Sequence, residues 1–362
     1  MAAKKRKYTK TKKNSTTPIA TKFCNAPVEP AREFGPEISG NRSRLILLSS
    51  SKWVAGTILH YFFFDSPSKW RGTSAQMDRV RNAFKEWEDL GIGLEFKEVS
   101  SAHEAEIRIG FEKNDGHWSY LGRGILQHGP SSRTMNLDGA DQWSIDTALH
   151  EIGHTMGFPH EHQNPNAGIV WDEERVYETL AQPPNNWSRA TTEHNIIRKL
   201  NPDTVSGSNW DKDSIMHYPF EPGMILSPER YQSTALHPAP GLSDQDIRMA
   251  RTFYPALGPK QHKKLTPFRS QLLKLKPGEQ ANFSFTPEAT RTYKFQTFGE
   301  TDTVMVLFEH VDGEPRFRAG DDDSGLERNA SITEKLYTGR EYIIRVRLYW
   351  AYSEGESAVM VW

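Results

Sequence analysis

Two domains of different class are predicted for this 362-residue chain: an α+β domain of mixed strands and helices, then a small all-β sandwich. Three observations carry the prediction. Aromatic and β-branched runs alternate with helical apolar stripes through the first part of the sequence. From about residue 266 the pattern changes to short runs of about five strand-like residues, each bounded by turn formers. A content of 36% hydrophobic and 11% aromatic residues is enough to fill a core in both.

Residues 1–44 are polar, basic and proline-bearing, and read as a flexible tail or leader. Lys4, Lys5, Arg6, Lys7, Lys10, Lys12 and Lys13 stand there with no acid among them, although the whole chain has a net charge of -1. A basic tail therefore precedes a mildly acidic body. It reads as solvated, with a nuclear-import patch at Lys4–Lys7 as the second reading; Tyr8 is the one aromatic near the charge, which argues against nucleic-acid binding. Arg42 and Arg44 offer tryptic cutting points.

The first domain is expected over 45–257. Thr57–Phe64 is a buried strand by its aromatic and branched content. Met77, Val80, Phe84 and Trp87 recur at helical spacing and predict a helix from Ser74 to Leu90 that backs the sheet. Strands follow at Leu94–Val99 and Ile107–Phe111, and Thr134, Met135, Asn136 and Leu137 make a short strand before a helix that starts near Asp146. Another helix is expected near Asp172–Leu180. Ser243 caps a last one, with Ile247, Met249, Ala250 and Phe253 facing inward and Tyr254-Pro255 ending it. Residues 258–265 read as a linker, and 266–362 hold the sandwich, with strand-like runs at 281–285, 292–296, 304–308 and 342–346.

One segment carries chemistry. In His150-Glu151-Ile152-Gly153-His154-Thr155-Met156-Gly157-Phe158-Pro159-His160, two imidazoles four residues apart share a helix face and reach a single ion. Gly157 lacks a Cβ, accepts positive φ, and so ends the helix and returns the chain until His160 supplies a third nitrogen. Three protein ligands and an exchangeable fourth position mark a catalytic Zn2+, one per chain, and Glu151 beside the first ligand is the natural general base. A packing helix with surface histidines is the bland alternative, and it gives no reason for His150, Glu151, His154, His160 and His162 to crowd together.

Downstream, Asp213-Ser214-Ile215-Met216-His217-Tyr218-Pro219 resembles the methionine turn of metzincins, and with Gly157-Phe158-Pro159-His160-Glu161 it looks like the astacin family in particular. His117-Trp118-Ser119-Tyr120-Leu121-Gly122-Arg123 is similar to the astacin segment that leads into the substrate-binding edge strand. The resemblance covers about residues 45–256. It implies a metzincin catalytic domain, a twisted and mostly parallel sheet with helices above an irregular lower half, with zinc in the cleft between them. Met216 would then form an apolar floor under the metal, Tyr218 would serve as an extra ligand and later as a donor to the oxyanion, and Glu161 would pair with the amino terminus of a processed enzyme. A core tyrosine with a satisfied hydroxyl is the plain alternative for Tyr218. The implied activity is that of an endopeptidase, with a zinc-activated water attacking protein or peptide substrates and Thr134, Met135, Asn136 and Leu137 as the exposed edge to which substrate adds. A silent or latent metzincin that binds a matrix or polysaccharide is the competing reading.

Cys24 is the single cysteine, so no intrachain disulfide forms, unlike the paired cysteines of most secreted animal astacins. Its thiolate is a candidate ligand for the open zinc position, which would hold the enzyme latent; a free thiol in a flexible leader is the alternative. Neither a signal peptide nor a membrane span is read, which gives a cytoplasmic or non-classically exported protein as the expectation. The strand pattern after 266, with Asp321-Asp322-Asp323-Ser324-Gly325 and Asn329, looks like a bacterial pre-peptidase C-terminal domain. That acidic run is a candidate Ca2+ site beside the simpler reading of a solvated turn. His60, His103, His117, His128, His194, His217 and His237 are scattered singly and read as surface or satisfied residues. No residue pattern defines the specificity pocket or the oligomeric state.

Overall fold

The computed structural model describes residues 22–28, 51–140, 142–200, 209–257, 262–349 and 353–362. The basic stretch before residue 22, Arg42, Arg44 and residues 258–261 of the expected linker lie outside them. In the first domain β1 (Thr57–Phe63), β2 (Leu94–Glu98), β3 (Ile107–Gly110), β4 (Trp118–Ser119) and β5 (Met135–Asn136) form one sheet in the order β2-β1-β3-β5-β4. Every pairing is parallel except the last, where β4 runs antiparallel to β5. Leu59, Ile107 and Ile109 in the central strands are fully buried, as the continuous apolar runs of a parallel sheet require.

Helix α1 (Ser74–Glu88) opens at Thr73, whose hydroxyl accepts from Gln76 N while the Gln76 side chain accepts from Thr73 N. Its Val80, Ala83, Phe84 and Trp87 bury one stripe in the core shared by the sheet and by α2 (Ile145–Thr155). The Trp87 indole donates to Leu149 O at 3.2 Å, which joins the two helices directly. Each of the large side chains contributes about 1.5–3 kcal/mol by leaving water, so α2 is held by packing and not by helix propensity.

The topology corrects one expectation. Thr134, Met135, Asn136 and Leu137 are interior, because β5 has a strand on each side and all four residues are shielded from solvent. On this side of the sheet the outermost strand is β4, at Trp118–Ser119. A two-residue strand carries too little alternation to separate centre from edge, and the return of the chain that lays β4 outside β5 has no local signature.

Below the sheet the chain is irregular, with a short pair of strands β6 (Val170–Trp171) and β7 (Ile225–Ser227) and helices α3 (Glu173–Leu180), α4 (Arg189–Thr192) and α5 (Asp244–Phe253). A separate apolar cluster that includes Trp171, Leu180, Trp187, Ile196, Phe220 and Tyr231 holds this half together. Ser243 caps α5, and Asp246 in its first turn accepts from Ser243 N, from Ser214 Oγ at 2.6 Å and from Ile215 N at 2.8 Å. The last helix therefore clamps the turn that carries Met216.

The second domain is a sandwich of strands β8 (Lys263–Lys264), β9 (Gln271–Leu275), β10 (Gln280–Phe285), β11 (Arg291–Phe298), β12 (Thr303–Val311), β13 (Glu314–Asp321), β14 (Ser331–Leu336), β15 (Tyr342–Leu348) and β16 (Gly355–Val361). One sheet has the order β13-β12-β15-β10-β8 and the other β14-β11-β16-β9. Lys263–Lys264 pair with β10 and Leu265 is buried in the sandwich core, so residues 263–265 belong to the domain and not to a linker. Where the domains meet, Val54 enters an apolar cluster with Val304, Val306, Phe308, Ile343 and Tyr349, and Arg345 and Gln280 each donate to Ala55 O at 2.9 Å. His60 lies between Glu106 and Glu314 at the same seam. Among the described residues no helix is long and apolar enough to cross a membrane.

Candidate metal centre

Ser144 starts α2 by accepting from Asp146 N, and every residue from Ala148 to Thr155 is buried. One turn of this helix separates His150 from His154, so both rings point to the cleft. Gly157 follows with φ +91°, a left-handed value that favours glycine, and the chain turns as Gly157 N donates to His154 O at 2.7 Å and Phe158 N to Gly153 O at 3.0 Å. The reversal brings His160 back, and its Nε2 stands 3.0 Å from that of His154.

Carbonyls behind the rings fix their orientation. His150 Nδ1 donates to Ile215 O at 2.7 Å and His154 Nδ1 to Phe158 O at 2.8 Å, a pattern that leaves each Nε2 with its lone pair toward the cleft. His150 Nε2 is buried without a hydrogen-bond partner. Cys24 completes the group: its Sγ and one nitrogen each from His150, His154 and His160 all lie within 4.8 Å of one another, and all four residues are buried. Donors crowded in this way are costly unless a cation sits among them, and three imidazoles with one thiolate suit zinc. Burial pushes His150 down to about 4 and drives His154 and His160 well below the usual histidine value, which keeps them in the neutral form that a metal needs.

Glu151 faces the same space. Burial pushes its carboxyl up to about 8; Oε2 accepts a long bond from Cys24 Sγ at 3.5 Å and Oε1 has no partner. Met216 is buried under the helix, so close that a Cβ on Gly153 would stand 2.4 Å from its sulfur. The Tyr218 hydroxyl donates to Cys24 O at 2.8 Å and lies 2.5 Å from His160 Nε2. Glu161 accepts from Asp211 N at 3.0 Å and from Asn164 Nδ2 at 3.1 Å, and burial pushes its carboxyl up to about 7. His162 stacks behind His160 with ring centres 5.2 Å apart and donates to Asn195 O at 2.8 Å, a supporting place and not a ligand's.

Comparison with known proteins agrees with this geometry. A family profile described as Astacin, a family of peptidases, matches residues 48–254, more than half of the chain. The chain belongs to the astacin family. Karilysin of Tannerella forsythia is 31% identical over 144 residues, which cover 34% of this chain and 29% of karilysin. Blastula protease 10 of Paracentrotus lividus is 28% identical over 203 residues, covering 52% of this chain and 29% of that protein. The chain thus spans under a third of the length of these curated relatives. The solved structure of myroilysin aligns with a TM-score of 0.51 at 29% identity and covers 57% of this chain and 97% of that one.

What sequence reasoning missed in this astacin domain is the course of residues 22–28. Read as flexible leader, they cross the cleft instead. Lys22 Nζ meets Asp138 Oδ2 at 2.5 Å, and Phe23 N donates to Asn185 Oδ1 at 2.9 Å. The Phe23 ring enters a box of Trp187, Tyr218 and Phe220, with centres 6.1, 5.1 and 5.8 Å away. Asn25 N donates to His117 O at 2.9 Å, beside the outer strand β4. His117 and His217, read as solitary, line the cleft too. No periodicity or motif announces any of these contacts. In the acidic run of the sandwich, Asp321 accepts from Ser324 N, Ser324 Oγ and Ser331 N within its own loop. Among the described residues, the cleft holds the one converging group of three or more His, Cys, Asp or Glu donors.

Proposed function

We propose that this chain is a zinc-dependent endopeptidase whose residues 22–28 hold it latent. The observation that carries the reading is the buried convergence of His150, His154, His160 and Cys24 with Glu151 beside them. The three histidines would hold one zinc ion, which when bound supplies Lewis acidity to polarise a peptide carbonyl and acidify a neighbouring water. Glu151, buried at the cleft, would take the proton of the attacking water and return it to the departing amine. Tyr218 now donates to Cys24 O, a backbone carbonyl beside the donor cluster; a substrate carbonyl in that place would receive the same hydrogen bond as charge builds on its oxygen. An extended peptide would add along β4, where Asn25 already pairs with His117 O.

Latency follows from the fourth donor. With Cys24 Sγ among the histidine nitrogens, the thiolate would take the fourth position in place of the water to be activated. The test is hydrolysis of casein by the full-length chain, with and without a zinc chelator, beside the metal content. The reading expects about one zinc per chain, slow turnover, and chelator-sensitive turnover that rises once the leader is cut. A metal-free chain, or cleavage that a chelator leaves untouched, would contradict it.

A further inference from the structure

We propose that the cleft carries a subsite for a basic side chain, made by Asp138 and Asp146, and that the enzyme cuts within two residues of a lysine or arginine. The inference rests on the peptidase reading above and supplies its substrate class.

Asp138 lies behind Lys22 of the cleft lining, and its side chain is fully buried and still prepared for charge. Oδ1 accepts from Asn114 N at 3.0 Å and Ala140 N at 2.8 Å, and Oδ2 accepts from Gly116 N at 3.1 Å. Three backbone amides hold it in its ionised form. Burial opposes that charge, yet the Lys22 ammonium and the three amides more than offset it and keep the carboxyl below the usual aspartate value. The remaining direction on Oδ2 is taken by Lys22 Nζ.

Lys22 belongs to the leader and not to the domain. It stands two residues before Cys24, the residue that faces the zinc position, so its side chain reaches the wall where a substrate residue close to the scissile bond would reach it. Once the leader leaves, Asp138 keeps its charge and loses its cation, and an unpaired buried carboxylate is costly. A lysine or arginine of the substrate would restore the pair.

The rest of the cleft has the same sign. Its volume is about 340 Å³, and its lining includes Lys22, His117, Asp146, Thr147, His217 and His237. Among the described residues, Lys22 is the one lysine or arginine of that lining. Asp146 is tied through Oδ1 to Gly241 N at 3.0 Å. Such a wall attracts a cationic side chain and repels an acidic one.

The experiment uses the full-length Lys22→Ala/Cys24→Ser chain, which takes the thiol from the zinc position and the ammonium from Asp138, assayed before and after limited proteolysis removes the leader. Loaded with zinc, it is given quenched peptides that differ in carrying Lys, Gln or Glu at each of the two positions on either side of the scissile bond. At one position kcat/KM should be at least ~10-fold higher for Lys than for Gln, and lower again for Glu. Adding Asp138→Asn should bring the Lys-to-Gln ratio toward unity. Should that variant fail to fold, Asp146→Asn offers a second handle, expected to reduce the ratio, and the peptide series on the intact carboxylates needs neither. Equal rates for Lys, Gln and Glu, or a Lys preference untouched by both Asn substitutions, would overturn the subsite and leave the peptidase standing. Hydrolysis of none of the peptides by the zinc-loaded chain would overturn the peptidase reading and the subsite with it.

Discussion

His150 and His154 reach the metal position from a helix buried without a break over 148–155, whereas Cys24 reaches it from a segment with no regular secondary structure. The helical ligands are placed by a local period and by the packing of Trp87, Leu149 and Ile152, so nothing short of unfolding removes them. Cys24 lies 127 residues from Glu151 in sequence, yet their side chains touch, held by Lys22 on Asp138, by Phe23 in its aromatic box and by Asn25 on the rim. Those anchors are an ion pair, an aromatic contact and a backbone hydrogen bond made by a segment without regular structure, and on the proposed reading a single cut after it would let them go. On the proposed reading, the contrast separates a permanent part of the centre from a detachable one.

The largest effect should come from the permanent part. Glu151→Gln is expected to lower peptide hydrolysis by ~10³-fold or more while zinc content, read by mass spectrometry of the metal, stays at that of the parent. Equal losses of turnover and metal would show that Glu151 supports the fold and not the proton transfer. Next comes the detachable part: Cys24→Ser in the full-length chain should raise turnover roughly tenfold or more, because a tethered thiolate competes at about millimolar effective concentration. Unchanged turnover would assign latency to Lys22 and Phe23 instead.

A smaller effect probes the floor of the helix. Gly153→Ala sets a methyl 2.4 Å from the Met216 sulfur, and overpacking of that kind costs about 1–3 kcal/mol. Thermal melts should register the loss, with zinc binding weakened as Met216 is driven from under the ligands. An unshifted melting temperature would mean that the turn relaxes freely, against the clamp that Asp246 forms.

The smallest expected effect lies at the domain seam, away from both. A hydrogen bond from Lys97, helped by His60, holds the Glu314 carboxyl below its ordinary value of 4.5. A carboxyl depressed on folding stabilises the folded state above its unfolded pKa, and that contribution is lost as pH falls through the depressed value. Docking of the sandwich should therefore weaken only below about pH 4.5, seen as an earlier melting step at pH 4 than at pH 6. Glu314→Gln should abolish that difference, and a pH response that persists in this variant would assign it to another group.

The legibility of the sequence followed the range of the interactions. His150, Glu151, His154 and His160 were readable because one helical turn and one glycine reversal bring them together within eleven residues. Val80, Phe84 and Trp87 declared their helix for the same reason, and Ser243 its cap. Strand order was not readable at β4 and β5, where two residues apiece carry no periodicity and the edge was placed one strand too far in. Nor was the route of residues 22–28, whose polar, proline-bearing neighbourhood has the composition of a tail while its anchors sit on Asp138, Asn185 and Trp187 far along the chain. Cys24 could be named as a possible ligand from its chemistry alone, and its position could not.

The central claim is that Cys24 shares the metal with three histidines in the intact chain. Zinc-edge X-ray absorption on the full-length protein tests it most directly. The account predicts one sulfur at about 2.3 Å with three nitrogens at about 2.0–2.1 Å, and loss of the sulfur in Cys24→Ser or after the leader is cut away. A shell of nitrogen and oxygen alone in the intact chain would contradict it.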